Sequence, residues 1–336
     1  MKKLLNNLYI MKQGSYLHKE RETVVIECEQ RKLAQYPIHS IGAIHCFGNV
    51  LVSPYIYSLC ADYGISLSLY TEYGRFLARM QTKQTGNVLL RRLQYRMTET
   101  PTNIARIIVA AKISSSRKVL QRHNRNTEEP DEELEHSISV LRQYVAKLEH
   151  ETDMDVIRGI EGEAAARYFG QLNKLILNDS FSFTGRNRRP PRDPVNTMLS
   201  FMYSVAAGDI SAALQGVGLD AQAGFLHADR SGRDSLALDI LEEFRAWLLD
   251  RLVLTIVNKK QIAVKDFKQE LSGAVSMSDE TRKLLLSAYQ ERKQDTIRHP
   301  YLDEDVPVGL LYHVQAQLLA AHIRGNLEVY PPFVVR

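Results

Sequence analysis

The 336-residue sequence predicts an α+β protein: a small N-terminal β domain with one helix, followed by a larger all-α C-terminal domain. Three observations carry this prediction. Up to about residue 82, short runs alternate with period two or are rich in β-branched residues, as strands are. The segment Thr82-Lys83-Gln84-Thr85-Gly86-Asn87 breaks that pattern. Beyond it, apolar residues recur at helical spacing almost to the end of the chain. The β domain is therefore drawn as residues 1–82, a linker as 83–87 and the helical catalytic domain as 88–336.

In chain order, strands are expected at 5–11, 15–18, 23–27, 32–36, 43–45, 66–70 and 75–80. One helix, 54–63, interrupts them, with Pro54 suited to a first helical turn. Helices are then expected at 88–97, 102–122, 131–150, 153–177, 194–206, 235–257, 264–271, 278–295 and 307–324. Gly325-Asn326 supplies a stop for the last of them. Breakers at 124–130, 185–194 and 216–233 divide the helical half into sub-bundles, and no internal repeat is visible.

A 44% hydrophobic content is enough for real cores. The cysteines, Cys28, Cys46 and Cys60, are odd in number and form no CxxC pair, which predicts reduced core thiols and no zinc site. No apolar run reads as long enough for a bilayer, and Met1-Lys2-Lys3-Leu4-Leu5-Asn6-Asn7 lacks a signal-peptide stretch, so the expectation is a cytoplasmic protein without membrane contact. The net charge of +4 says little, but its distribution says more. Residues 81–126 hold ten Lys or Arg against one acid, whereas residues 127–163 hold twelve acids against three bases. A second basic cluster, Arg186, Arg188, Arg189 and Arg192, precedes His227. Clustered cations on a folded surface are the footprint of polyanion binding.

The candidate site starts at His227, which closes Gly224-Phe225-Leu226-His227. A basic, glycine-containing turn that includes Arg230 and Arg233 follows, then a helical run from Ser235 to Arg245. Asp239 and Glu242 are three apart and so project from neighbouring points of that helix. Ala237, Ile240, Leu241, Phe244 and Leu248 form a separate apolar stripe. One imidazole and two carboxylates suit a hard divalent ion, Mn2+ or Mg2+, and point to metal-assisted phosphodiester chemistry. Such an ion calls for another acid. Glu161 is the candidate, because Ile157, Ala164, Ala165 and Tyr168 place it on the packed face of its helix, where an unpaired carboxylate is costly. A salt bridge to Arg158 or Arg167 is the alternative use for that carboxylate.

Linked motifs add a resemblance. They are Glu161-Gly162 with Ala165, Arg167 and Tyr168; Asp193-Pro194-Val195-Asn196 with Leu199-Ser200 and Tyr203; Gly218-Leu219-Asp220 leading to Gly224-Phe225-Leu226-His227; and Arg233 with Ser235-Leu236-Ala237-Leu238-Asp239, Glu242 and Phe244-Arg245. Together they resemble the CRISPR-associated adaptation endonuclease/integrase family, Cas1, over nearly the whole chain. Gln315-Ala316-Gln317-Leu318-Leu319-Ala320, Arg324-Gly325 and Tyr330-Pro331-Pro332-Phe333 are similar to the branch that accompanies subtype I-C systems. Ala221-Gln222-Ala223 and Ala246 depart from prolines expected in that pattern, and neither touches a proposed ligand.

The resemblance implies that Glu161, His227 and Glu242 hold a divalent ion, Mn2+ or Mg2+. It leaves Asp239 either as an acid behind the ligands or as part of a second metal position. It implies joining of the 3′-hydroxyl ends of captured DNA to the ends of a CRISPR repeat, and cleavage of branched DNA. Double-stranded and branched DNA are then the substrates, with Arg186, Arg188, Arg189, Arg192 and Arg233 as DNA contacts. It also implies a homodimer formed through the β domain, and assembly with the small CRISPR-associated partner Cas2. The tail 330–336 either docks on a partner or is a simple ordered terminus. Two rival readings are a non-catalytic DNA-binding scaffold, with the same four residues as buried salt bridges, and a phosphohydrolase of small nucleotides. The second lacks HExxH, an adjacent His-Asp pair and GxxxxGK[ST].

Overall fold

The computed structural model describes residues 6–72, 76–80, 87–127 and 129–335. The expected strand starts at residues 5 and 75, and residues 83–86 of the expected linker, lie outside that set. In the N-terminal region, β1 (Asn6–Ile10), β5 (Ile41–Phe47), β7 (Ser66–Tyr70) and β8 (Phe76–Arg79) form one four-stranded sheet in that order. The first three run parallel and β8 is antiparallel to β7. A second sheet has the order β4 (Arg31–Pro37), β3 (Thr23–Cys28), β2 (Ser15–Glu20), β6 (Val50–Val52). Helix α1 (Pro54–Tyr63) has Pro54 in its first turn and ends at Gly64, which takes the left-handed φ of 65°.

Leu17, Val24, Ile26, Ile44, Cys46, Leu59, Cys60 and Leu67 make the core of this domain. All three cysteines are buried and free, as expected, and burial pushes the Cys46 and Cys60 thiols up to about 12. β5 has both faces covered. Ile44 and Cys46 point into the β-domain core, whereas Phe47 belongs to the core of the helical region. A strand covered on both sides reads as a continuous apolar run, which is why alternation picked out only its middle.

The helical region comprises α2 (Val88–Thr98), α3 (Thr102–Asn126), α4 (Glu132–Leu148), α5 (Met154–Gln171), α6 (Pro194–Val217) and α7 (Ser235–Phe244). A π-helical stretch, Arg245–Asp250, joins α7 to α8 (Arg251–Asn258). Then come α9 (Asp279–Gln294) and α10 (Leu311–Ile323). Asp131, Asp153 and Asp193 cap α4, α5 and α6 by accepting backbone N–H groups of the first turn, each worth about 1 kcal/mol.

The helix expected at 264–271 is not there. A short turn leads into β9 (Phe267–Gln269), which pairs with β10 (Val275–Met277) around Gly273 at φ 77°. Leu271, which completed the helical spacing, stands in solvent at the tip of this hairpin. A second unexpected hairpin, β11 (Thr296–Arg298) with β12 (Asp305–Pro307), precedes α10. The two hairpins are the exceptions to an otherwise helical region.

α6 runs past its expected end at 206 because Gly208 is a contact point and does not stop the helix. A side chain there would strike the Tyr70 hydroxyl of β7. α6 is long and apolar enough to cross a membrane by length and composition, contrary to expectation, but 72% of that stretch is buried inside the protein. It is a core helix. Beside Gly208, buried Asp209 accepts from Asn7 (2.8 Å) and Lys293 (2.8 Å), with His45 Nε2 at 3.2 Å. Burial alone would raise the Asp209 carboxyl; Lys293 and His45 outweigh it and hold the group well below the carboxylate range. This network joins β1 and β5 to α6 and α9.

Candidate active site

The loop 224–227 crosses the first turns of α7 at close range, and Gly224 makes that approach possible. A Cβ there would lie 2.8 Å from Ser235 Cβ and 2.9 Å from Asp239 Oδ2. Asp239 is fully buried and gathers the loop. Its Oδ2 accepts the backbone N–H of Phe225 (2.6 Å) and Leu226 (3.0 Å), and its Oδ1 accepts the backbone N–H of His227 (2.9 Å). Oδ1 also lies 2.7 Å from His227 Nδ1. A carboxylate serving four donors fixes the ring: Nδ1 carries the proton and Nε2 turns the other way. Asp239 thus spends both its oxygens on the loop and the ring of His227.

His227 Nε2 lies 3.9 Å from Glu242 Oε1, which also pairs with Arg245 Nη1 at 2.9 Å. Glu242 is 2% exposed. Burial pushes its carboxyl up, but Arg245, Lys112 and His227 outweigh that effect and hold it below its ordinary range. Lys112, from the middle of α3, donates to Glu161 Oε1 and lies 3.0 Å from Glu242 Oε2. Glu161 sits on α5 and is 27% exposed, so it stands on the cleft wall and is less packed than its helical neighbours imply. Its partner is Lys112, not Arg158 or Arg167. Arg158 instead reaches the Leu226 carbonyl, next to His227. Among the described residues, no three His, Cys, Asp or Glu side chains stand together as a ready-made ligand cluster. His227 stands beside Glu242, and the Lys112 ammonium bridges Glu242 to Glu161.

Glu161 and Lys112 border a cleft of about 860 Å³ whose walls also include Arg186, Arg188, Arg233 and Arg245. Arg245 lies over the Tyr203 ring at 4.8 Å. Tyr203 and Tyr168 both donate to buried Asp250, at 2.5 and 2.9 Å. Both residues of the π-helix that serve this network, Arg245 and Asp250, are its end residues. π-Helical segments often occur where function demands an unusual side-chain placement.

Residues 8–291 match the family described as CRISPR associated protein Cas1. The chain belongs to the Cas1 family. It is 48% identical over 343 residues to CRISPR-associated endonuclease Cas1 1 of Chlorobaculum tepidum, covering 100% of both chains. It is 44% identical over 344 residues to CRISPR-associated endonuclease Cas1 2 of Rhodospirillum rubrum, covering 99% of each. The solved structure of a Cas1 protein from Thermotoga maritima superposes with a TM-score of 0.84 at 24% identity, covering 97% of this chain and 99% of that one. A casposase bound to integration product superposes with a TM-score of 0.82 at 20% identity, covering 96% and 92%. At those identities the two superpositions establish the shared fold.

Within this Cas1 fold, the arginines expected to contact DNA divide into two kinds. Arg188, Arg189 and Arg192 are exposed. Arg186 is engaged by the protein itself: it donates to Asn196 Oδ1 and Asn187 O, both at 2.6 Å, and to Ser200 Oγ at 3.1 Å. Arg233 donates to Ser235 Oγ at 3.2 Å and to the Ala228 carbonyl. These two line the cleft wall and spend several of their donors on the protein itself. Sequence reasoning missed Lys112, whose one signal was a lone cation in Ile107-Ile108-Val109-Ala110-Ala111-Lys112-Ile113. It also missed Gln94 of α2. That fully buried amide donates to the carbonyls of Asp220 (2.8 Å) and Ala223 (2.9 Å) and accepts from Asp220 N (2.9 Å), clamping the approach to His227.

Proposed function

We propose that this protein is a divalent-metal-dependent DNA endonuclease/integrase of CRISPR adaptation, inserting captured DNA fragments into the CRISPR array. The observation that carries the reading is the approach of His227 to Glu242 together with the Lys112 bridge from Glu242 to Glu161, which stands on the wall of an arginine-lined cleft. The relatives named as CRISPR-associated endonucleases support it.

The donor set fits a hard divalent ion such as Mn2+ or Mg2+. It offers two carboxylates and an imidazole whose Nε2 is left free by the Nδ1 contact to Asp239. Glu242 Oε2 is buried and already faces a cation, the Lys112 ammonium at 3.0 Å, with no further hydrogen-bond donor. Glu161, His227 and Glu242 would hold the ion, which supplies Lewis-acid polarisation of the scissile phosphodiester. The protein's own groups do the rest. Asp239 keeps the imidazole in one tautomer. Arg245 offsets the charge of Glu242, and Tyr203 supports Arg245. Arg188, Arg189 and Arg192 take phosphates, giving affinity and register with little sequence readout.

The nucleophile is the 3′-hydroxyl of the incoming DNA. It gives up its proton as its oxygen bonds to the repeat-end phosphorus, the bond from that phosphorus to its former 3′-oxygen breaks, and the departing oxygen takes up a proton, so no net proton is gained or lost. No enzyme-linked intermediate is required.

The test is strand transfer on branched DNA with Mn2+ or Mg2+. Glu161→Ala and His227→Ala should each lower the joining rate by on the order of 10²–10³-fold while leaving DNA binding intact. Undiminished joining in both variants would reject the site, and binding without joining by the wild type would favour a scaffold.

The partners proposed are a second copy of the chain and the small protein Cas2. The outer strand β4 leaves Leu33 and Tyr36 exposed, and Tyr16 of the same sheet is exposed as well, which suits a homodimer through the β domain. Light scattering on the eluted protein should give the dimer mass. A monomer mass at micromolar concentration would remove this part.

A further inference from the structure

We infer that Lys112 is a resident counter-cation which a divalent metal ion displaces from between Glu161 and Glu242. This rests on the metal-site reading above and adds a residue to it. Lys112 emerges from a buried stretch of α3 that includes Ile108, Val109, Ala111 and Ile113, and its side chain is only 11% exposed. An ammonium so enclosed is stable only when paired. Its partners are two of the three proposed ligands, one from α5 and one from α7.

Space decides the rest. A hard divalent ion sits about 2.0–2.2 Å from carboxylate oxygens. An ion reached by both Glu161 and Glu242 therefore needs the volume that the ammonium fills, and two cations do not share it. One of them leaves. The lysine stem is flexible, with four methylenes, and Lys112 already lines the cleft. Withdrawal of the ammonium from the carboxylates carries it towards the face where phosphates would lie. The lysine thus keeps the acids neutralised until the metal arrives, and metal affinity reports the difference between the two cations.

The experiment uses the full-length protein and Mn2+ alone, followed by titration calorimetry. If the lysine-filled arrangement dominates, it lowers the apparent affinity by its share of the population, so Lys112→Met should bind Mn2+ about tenfold more tightly or better. Glu242→Gln should lose most Mn2+ binding. Equal or weaker binding by Lys112→Met, alongside lost binding in Glu242→Gln, would overturn the exchange and leave the metal site standing. Wild-type-like binding by Glu242→Gln would overturn the metal site, and the exchange with it.

A second measurement needs no variant. Trace acylation of the wild-type protein, read by mass spectrometry, reports how freely each lysine reacts. Lys174, held at 2.7 Å by both Asp131 and Glu133, serves as the internal reference. Mn2+ should raise acylation of Lys112 several-fold relative to Lys174. An unchanged ratio would overturn the proposal even if Lys112→Met fails to fold.

Discussion

Glu242 and Glu243 are consecutive, chemically identical and both buried, yet they serve opposite sides of α7. On one side, Glu242 is met by two cations, Arg245 at 2.9 Å and Lys112 at 3.0 Å, with the imidazole of His227 at 3.9 Å. On the far side, Glu243 meets only neutral donors. It accepts from Tyr330 (2.6 Å), Gln315 (2.9 Å) and the backbone N–H of Phe333 (2.7 Å). Burial pushes the Glu243 carboxyl up to about 7, with those hydrogen bonds holding it from rising further. Paired cations hold one acid below its ordinary range, and the other is a fastening for the tail. Burial alone does not decide what a carboxylate does; the charge of its neighbours does.

The sharpest way to break this contrast is to exchange the losses. Glu242→Gln should cut strand transfer by on the order of 10²–10³-fold. Phe333→Ala, on the Glu243 side, should leave the rate at low temperature near the wild-type value but lower stability by about 3 kcal/mol. Phe333 is fully buried, stacked on Phe244 at 5.2 Å and edge-on to Trp247 at 5.1 Å, so its removal opens a cavity. Paired rate measurements and urea unfolding check both. Equal loss of rate in the two variants would collapse the distinction between the two sides.

A smaller effect comes from pH. A carboxyl raised from 4.5 unfolded to about 7 folded binds more protons in the native state between those values. Its stabilising contribution is full below about pH 4.5 and is lost as pH rises through about 7. Asp250, which burial raises to about 6, acts with the same sign. The urea midpoint of the wild type should therefore fall between pH 5 and 8, and Glu243→Gln should flatten part of that fall. A midpoint that rises over this range would contradict the assignment of Glu243.

The four acid and imidazole positions were legible because each sits in a local pattern: a loop-closing histidine, two acids three apart, and a glutamate among small residues. Their convergence follows from packing of α3, α5 and α7, which no local pattern encodes. Lys112 was illegible for the same reason. In sequence it is one cation in an apolar helix, and only the approach of two other helices makes it a bridge. The tail was left with two fates, and the structure folds Tyr330 and Phe333 into the core against Glu243. The hairpins failed differently. Three-residue strands such as Phe267–Gln269 are too short for period two to be distinguished from a turn of helix.

The stretch Arg245–Asp250 carries more residues per turn than the helices on either side. Deleting one residue between Arg245 and Asp250 would let ordinary α geometry run through and leave the helix downstream nearly in phase with α7, because the wider turn is what absorbs one extra residue. The spacing between Arg245 and Asp250, which meet the ring and the hydroxyl of Tyr203, would then shorten by one residue. In this part of the protein, chain length is therefore constrained more tightly than side-chain identity.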